Sequence, residues 1–199
     1  MTDTSPTDQT YNVYFTAGAL LFDETLRLLP ILRSDNALPL LKEEVQENRL
    51  FMISSLESRK RLYLEIRRRH LAAPPDFWEV FGSVRESEQR ILLFYLCMKT
   101  YVLVFDLHFE LSVSRWKKLL PAVTINDVLF WVDQKSDKHP EILAWSEQTL
   151  RHIANKYRRM LSEAGLRNAE SLQPPPVNPG FFTRFADWGD PWMKEAAFL

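Results

Sequence analysis

Apolar residues recur along most of the chain at alternating spacings of three and four, which predicts amphipathic helices. The clearest case is 145–166, where Ser146 stands at an N-cap position and Gly165 follows the last periodic residue. One stripe of this helix is predicted to be buried and comprises Leu150, Ile153, Tyr157, Met160, Leu161 and Ala164. A neighbouring stripe is polar and comprises Arg151, Asn155, Arg158 and Ser162. The pattern therefore predicts a helix with one packed face and one basic face.

The preceding segments predict a three-helix unit that ends in this basic helix. Thr124 is placed to cap a helix over 125–134, and Pro140 begins a short helix just before Ser146. This order is typical of a helix-turn-helix or winged helix, whose last helix enters the DNA groove. Wing strands could come from 166–167 and 180–185, although the prolines between them are equally typical of a linker. A surface helix with a solvated charged face is the simpler alternative.

The first half of the chain shows a similar pattern. Helices are predicted from Thr16 to Leu29, where Pro30 ends or kinks the helix, and then over 39–47 and 56–71. When the sequence is aligned with itself at an offset of 91 residues, Ser55 matches Ser146 and basic residues of one helix match basic residues of the other. This alignment suggests a second helix-turn-helix-like unit, although any two basic amphipathic helices could align equally well.

The centre of the chain predicts the core. A short helix from Asp76 to Phe81 precedes a long helix over 86–111, which is apolar on nearly all sides and is therefore expected to be buried. A final short helix is expected at Asp190. The predicted organisation is a flexible tail (1–10), an N-terminal helical unit (11–72), central core helices (73–120), a C-terminal unit (121–170), and a proline-rich aromatic tail packing on the core (171–199). The fold class is an all-α helical bundle with helix-turn-helix or winged-helix-like units and little or no β structure.

Composition limits the possible partners and compartments. The formal net charge is −1, so no global field draws this protein to nucleic acid. Charge is nevertheless uneven, because 57–70 carries six cations against two carboxylates and 147–160 carries four against one. The single Cys97 excludes an internal disulfide and is expected in the core. No signal peptide is apparent, and the apolar stretch 91–105 is too short to span a membrane, so we predict a cytoplasmic protein without membrane contact.

The sequence shows no catalytic constellation. The four histidines have no metal-binding spacing, and no glycine-rich phosphate loop is present. Asp106, His108 and Glu110 alternate, but alternating positions on a helix point to different faces, so they make a poor dyad or metal site. We therefore predict a protein that is not an enzyme and that uses no metal and no cofactor.

Several short stretches resemble the BrxA family, the small helical proteins of the BREX (bacteriophage exclusion) phage-defence systems. The resemblance covers roughly residues 11–170 and lies in 14–20, 58–61, 65–69, 146–149 and 161–166. It implies an all-α, non-catalytic cytosolic protein that binds double-stranded DNA through helix-turn-helix-like elements. It also implies that the protein acts beside the methyltransferase, ATPase and phosphatase-like components of the system.

The candidate DNA-binding residues lie on the two basic helices. Base edges are expected to be within reach of Arg151, His152 and Asn155, because these residues occupy the first half of the recognition helix. Phosphate contacts are expected from Arg59, Lys60, Arg61, Arg67, Arg68, Arg69, Lys156, Arg158 and Arg159. Either Arg68 or Arg69 could instead bridge the two halves through an acidic neighbour. The alternatives to duplex binding are a protein–protein scaffold of the defence complex and an RNA-binding helical domain.

Overall fold

The computed structural model describes residues 10–199, apart from the side chain of Pro179. The predicted flexible tail therefore lies outside the described residues, except for Thr10. Within the described range the chain is helical and contains no strand, and an isolated antiparallel bridge joins Arg167 to Leu172. The all-α prediction is confirmed.

The helices follow one another with short connections. In chain order they are α1 (Phe22–Leu32), α2 (Ala37–Glu47), α3 (Leu56–Ala72), α4 (Phe77–Ser83), α5 (Glu86–Thr100), α6 (Val102–Leu107), α7 (Ser114–Lys117), α8 (Ile125–Lys135), α9 (Glu147–Glu163), α10 (Thr183–Asp187) and α11 (Met193–Ala196). A π-helical stretch, His108–Val113, joins α6 to α7. Over residues 10–199, three 3-10 turns occur, at Tyr14–Ala17, Pro140–Ala144 and Pro179–Phe182. We call the first of these the N-terminal turn.

The helix caps lie where the sequence places them. The side-chain oxygens of Ser55, Thr124 and Ser146 each accept a hydrogen bond from the backbone N–H three residues later, at 3.3, 3.2 and 3.2 Å. Each bond satisfies an N–H that the first helical turn leaves without a partner. Gly165 has φ +73°, a left-handed conformation that ends α9 and suits glycine. The bounds predicted for α3, α8 and α9 are thus confirmed within two residues.

The helix expected from Thr16 to Leu29 is wrong at both ends. The N-terminal turn stops at Ala17, and α1 begins only at Phe22 and continues through Pro30 to Leu32. Ala19 and Leu21 have positive φ angles, which interrupt a right-handed helix. The carbonyl groups of Ala19 and Leu20 instead accept hydrogen bonds from a buried arginine of α3.

The prediction of a single long helix over 86–111 is also wrong, because the chain bends sharply at Tyr101. That residue adopts an extended conformation, and the helix axes before and after it differ by 115°. Neither proline nor glycine marks the break. Between residues 10 and 199, no single helix is long and apolar enough to cross a membrane. Within this range, only α5 taken together with the bent continuation over 102–117 reaches the required length and apolar composition. Most of α5 is buried in the protein core, and the bent continuation is buried on one side, which includes Leu103, Val104 and Leu107.

The predicted wing strand over 180–185 is wrong as well, since this stretch forms a 3-10 turn and then α10. The C-terminal segment lies against α5. The rings of Phe185, Trp188 and Trp192 all contact the Tyr95 ring, with centroids 4.9, 5.7 and 5.6 Å away. Asp190 accepts hydrogen bonds from the Tyr95 hydroxyl and from Lys99. Aromatic contacts and one carboxylate therefore hold the tail on the core.

The segment before α1 contacts elements far away in the chain. The Tyr11 backbone N–H donates to Glu141 at 2.6 Å, and its hydroxyl donates to Asp106 at 2.7 Å. The Leu20 N–H donates to Glu163 at the end of α9, at 3.2 Å. The beginning of the described chain thus packs between its central and C-terminal helices.

Candidate nucleic-acid interface

The N-terminal turn lies between the two basic helices, α3 and α9, and contacts both. On one side the Arg68 guanidinium of α3 lies over the Tyr14 ring, 3.9 Å from its centroid. On the other side His152 Nε2 of α9 approaches the Thr16 carbonyl oxygen at 3.3 Å. Helices that are 91 residues apart in the sequence therefore meet at one turn and share one surface.

A cleft of about 760 Å³ opens at this junction. Its cationic lining comes from both helices, with Arg61 and Arg68 on α3 and with Lys156 on α9, and the His152 ring lies beside Lys156. Glu24 and Glu65 also line it, and the rest of the lining is largely apolar. The cations that the sequence assigns to two separate units therefore border a single cavity.

The remaining predicted cations differ in their exposure. Lys60, Arg61, Arg67, Arg151 and Arg159 are exposed, as is Asn155, whereas Arg59, Arg68, Lys156 and Arg158 are half-buried. Three of the exposed arginines pair with a glutamate one turn away on the same helix. Where the glutamate is also exposed, as in Arg61–Glu57 and Arg151–Glu147, such a pair contributes little to stability, about 0.3–0.5 kcal/mol, so a phosphate can replace the glutamate at small cost.

The structure corrects the predicted phosphate contact of Arg69, because the side chain of this residue is only 1% exposed. Its guanidinium donates to Glu65 Oε1 at 3.0 and 2.8 Å, and to the carbonyl oxygens of Leu20 and Ala19 at 2.7 Å each. The Tyr101 hydroxyl completes the cluster by donating to Glu65. Arg69 cannot reach DNA, and instead it ties α3 to the irregular segment before α1.

Arg158 is likewise occupied by the protein itself. Its Nε donates to the Val123 carbonyl oxygen at 3.0 Å, which braces α9 against the approach to α8. The Nε of Arg59 is buried and has no hydrogen-bond partner among the described residues. These two arginines are therefore less available to a ligand than their exposed neighbours.

Of the alternating Asp106, His108 and Glu110, only His108 lies in separate surroundings, whereas Asp106 and Glu110 are one turn apart and both lie near Tyr11. Asp106 accepts from Tyr11, whereas Glu110 accepts from Trp131 and pairs with Lys135. In residues 10–199, no group of three or more histidine, cysteine, aspartate or glutamate side chains is arranged to hold a metal ion.

His108 lies in a buried polar cluster in the π-helical stretch. Its Nε2 is 2.8 Å from the Ala196 carbonyl oxygen, which only accepts, so Nε2 carries the proton and Nδ1 accepts from the Tyr157 hydroxyl at 3.0 Å. The Tyr157 oxygen in turn accepts from the Ser112 hydroxyl. Burial lowers the pKa of His108 to about 4, so the ring is neutral. The cluster joins the C-terminal segment to α9.

Most residues of the cleft lining are absent from the predicted contacts, and Leu64 and Tyr14 are two of them. Leu64 lies three residues after Arg61 and four before Arg68, so helical spacing alone places it beside them. Tyr14 has no such local signal, because its position depends on how the N-terminal turn docks between two distant helices.

The comparisons with known proteins identify one family. The family model described as BrxA matches residues 9–186 of the chain. No curated protein matches it.

Proposed function

The chain belongs to the BrxA family of BREX phage-defence proteins, and from that premise we propose that it is a non-catalytic accessory protein that binds double-stranded DNA. The main support is that the basic helices α3 and α9 meet at the N-terminal turn. Two local basic patches on a protein of net charge −1 then act as one surface. A single surface can follow the phosphates of one duplex, and partners among the other BREX components are expected for a member of this family.

Phosphate binding would use the exposed cations of both helices. Lys60, Arg61 and Arg67 lie on α3, and Arg151 and Arg159 lie on α9. Each phosphate contact releases a condensed counterion, so affinity should fall steeply as salt is added. These contacts fix the position of the protein on the duplex without reading its sequence.

Base contacts would come from the first half of α9. Arg151, His152 and Asn155 are exposed there, and arginine and asparagine pair well with guanine and adenine in the major groove. A helix-turn-helix docks in this way, with the N-terminal residues of its last helix on the base edges. The packing of α8 against both α9 and the 140–144 turn supports this arrangement.

The direct test is titration of purified protein with duplex DNA at several salt concentrations. We expect a slope of log affinity against log salt of roughly −4 to −6, which corresponds to about that many phosphate contacts. Single-stranded DNA and duplex RNA serve as competitors and should compete poorly. Lack of duplex binding at low salt, or tighter binding of RNA, would contradict the proposal.

Charge reversal tests the role of α9 separately. Replacing Arg151 and Asn155 by Glu should abolish duplex binding, because it places two carboxylates where base edges and phosphates would lie. The matched control is Arg184→Glu with Lys194→Gln, which gives the same change in formal charge at exposed positions of the C-terminal segment. Equal loss in both variants would mean that only net charge matters and would remove the recognition-helix assignment.

A second candidate is a scaffold role within the defence complex. Leu119, Phe130 and Leu143 are large apolar residues with well exposed side chains, and each would be available to a protein partner. In that case the basic helices would dock on acidic partner surfaces. If the protein is a scaffold, the variant with Arg151→Glu and Asn155→Glu should lose a protein partner. Duplex DNA should then bind neither the wild-type protein nor the variant.

A further inference from the structure

The cleft at the N-terminal turn has a lining that phosphate binding alone does not require. Beside its cations it exposes apolar side chains from four parts of the chain, namely Val13, Tyr14, Leu21, Ile53, Leu62 and Leu64. Its volume of about 760 Å³ lies within the range of about 300–1,000 Å³ that is usual for small-molecule sites. A planar apolar group that carries a negative charge matches this combination.

Arg68 is held in place for such a ligand. Its guanidinium stacks on the Tyr14 ring at 3.9 Å and lies 3.6 Å from Glu65, whose carboxylate is itself fixed by Arg69 and Tyr101. The charge of Glu65 is largely balanced by buried Arg69, so Arg68 keeps its charge available to the cleft. Little side-chain freedom remains to be lost on binding, which favours affinity.

We propose that this cleft binds a nucleotide, with the base against the apolar lining beside Tyr14 and the phosphate held by Arg68, Arg61 and Lys156. Tyr14 is 53% exposed and offers a ring for stacking, which is the usual way that proteins bind unpaired bases. Glu24, in the first turn of α1, supplies an acceptor for an amino or hydroxyl group of the nucleotide.

The nucleotide has two possible sources, which share this chemistry. One is a free mononucleotide, and its binding does not depend on the proposed binding of duplex DNA. The other is a base unstacked from a nucleic-acid strand, and this source rests on the proposed function because the strand must first lie across α3 and α9. The two sources are separated by experiment.

Calorimetric titration tests the first source, with the four deoxynucleoside monophosphates as ligands and with deoxyribose 5-phosphate and inorganic phosphate as controls. We expect at least one mononucleotide to bind more tightly than either control. Tyr14→Ala should weaken that binding about 5- to 100-fold through loss of stacking, whereas Tyr14→Phe should retain it. Equal affinity for inorganic phosphate would overturn the proposal, because the site would then be a simple anion site.

A matched pair of substitutions on α3 tests the location. Leu64 lines the cleft and is 44% exposed, while Leu71 lies two turns further along the same side of α3, outside the cleft lining, and is 58% exposed. Leu64→Glu places a carboxylate in the cleft and should abolish mononucleotide binding, whereas Leu71→Glu should leave it unchanged. Equal effects of the two substitutions would place the ligand elsewhere.

The second source is tested with a duplex that contains 2-aminopurine at a mismatch, because unstacking raises its fluorescence. We expect wild-type protein to raise the signal and Tyr14→Ala to bind the duplex without raising it. Absence of both mononucleotide binding and a Tyr14-dependent signal overturns the inference, even if duplex affinity is normal. Conversely, mononucleotide binding by the Arg151→Glu/Asn155→Glu variant would uphold the inference where duplex binding has failed.

Discussion

Replacing Arg69 by Met should destabilise the protein far more than its place in a basic stretch suggests. The change leaves the Glu65 carboxylate buried and removes the donors of the Ala19 and Leu20 carbonyl groups. Breaking a buried ion pair by removing one partner costs about 3–5 kcal/mol. A domain is typically stable by about 5–15 kcal/mol, so the free energy of unfolding should fall by a large fraction.

The exposed Arg67, two residues earlier on α3, supplies the control. Arg67→Met should change the free energy of unfolding by less than about 0.5 kcal/mol, because no buried group loses a partner. Urea unfolding followed by tryptophan fluorescence measures both variants. Adding Glu65→Gln to Arg69→Met should recover part of the loss, since it removes the uncompensated charge. If Arg69→Met unfolds within about 1 kcal/mol of wild type, the buried cluster does not stabilise the fold as argued.

Arg67→Met should affect DNA binding more than Arg69→Met does, which is the reverse of their effects on stability. Under conditions where both are folded, Arg67→Met should make the salt slope shallower by about one, as expected for one lost phosphate contact. Arg69→Met should leave the slope unchanged, because its side chain cannot reach a ligand. The pair therefore separates a structural arginine from a binding one within three residues.

Two further measurements concern buried titratable groups. His108 has its pKa lowered to about 4 by burial, so between that value and its usual 6.5 the unfolded chain takes up a proton that the folded protein does not. Stability should therefore fall as pH decreases through this range, by about 2 kcal/mol at pH 5, and His108→Gln should show a shallower pH dependence in urea unfolding. An unchanged pH dependence in the variant would contradict this role. Burial raises the pKa of the Cys97 thiol to about 12, so a thiol-specific disulfide reagent should react with it slowly in the folded protein and rapidly in urea. Rapid reaction without denaturant would mean that the α5 core opens readily.

Local signals in the sequence were sufficient for much of the helical framework. Ser55, Thr124 and Ser146 mark helix starts because a hydroxyl that accepts a backbone N–H acts within three residues of its own position. Gly165 marks an end for an equally local reason. Tyr101 carries no such mark, because a tyrosine is compatible with a helix. Its extended conformation depends on packing and on a hydroxyl contact with Glu65, which is 36 residues earlier.

The candidate site was predictable only in part. The two basic helices are apparent from composition and periodicity, but their meeting depends on the N-terminal turn, whose contacts with α3 and α9 are distant in sequence. The error at Arg69 had a local signal, because Leu62, Ile66 and Arg69 follow the spacing of a buried stripe. An arginine in such a stripe is better interpreted as the centre of a buried hydrogen-bond cluster than as a ligand contact.

The segment between Tyr11 and Leu20 has a consequence for the order in which the protein assembles. It is synthesised well before its partner on α9, because Glu163 follows Leu20 by 143 residues. At about 5–20 residues per second, this segment waits on the order of ten seconds or more before α9 exists. Closure of this contact, and with it formation of the surface shared by α3 and α9, must therefore follow synthesis of α9. A nascent chain interrupted before α9 would carry one basic helix and no assembled interface.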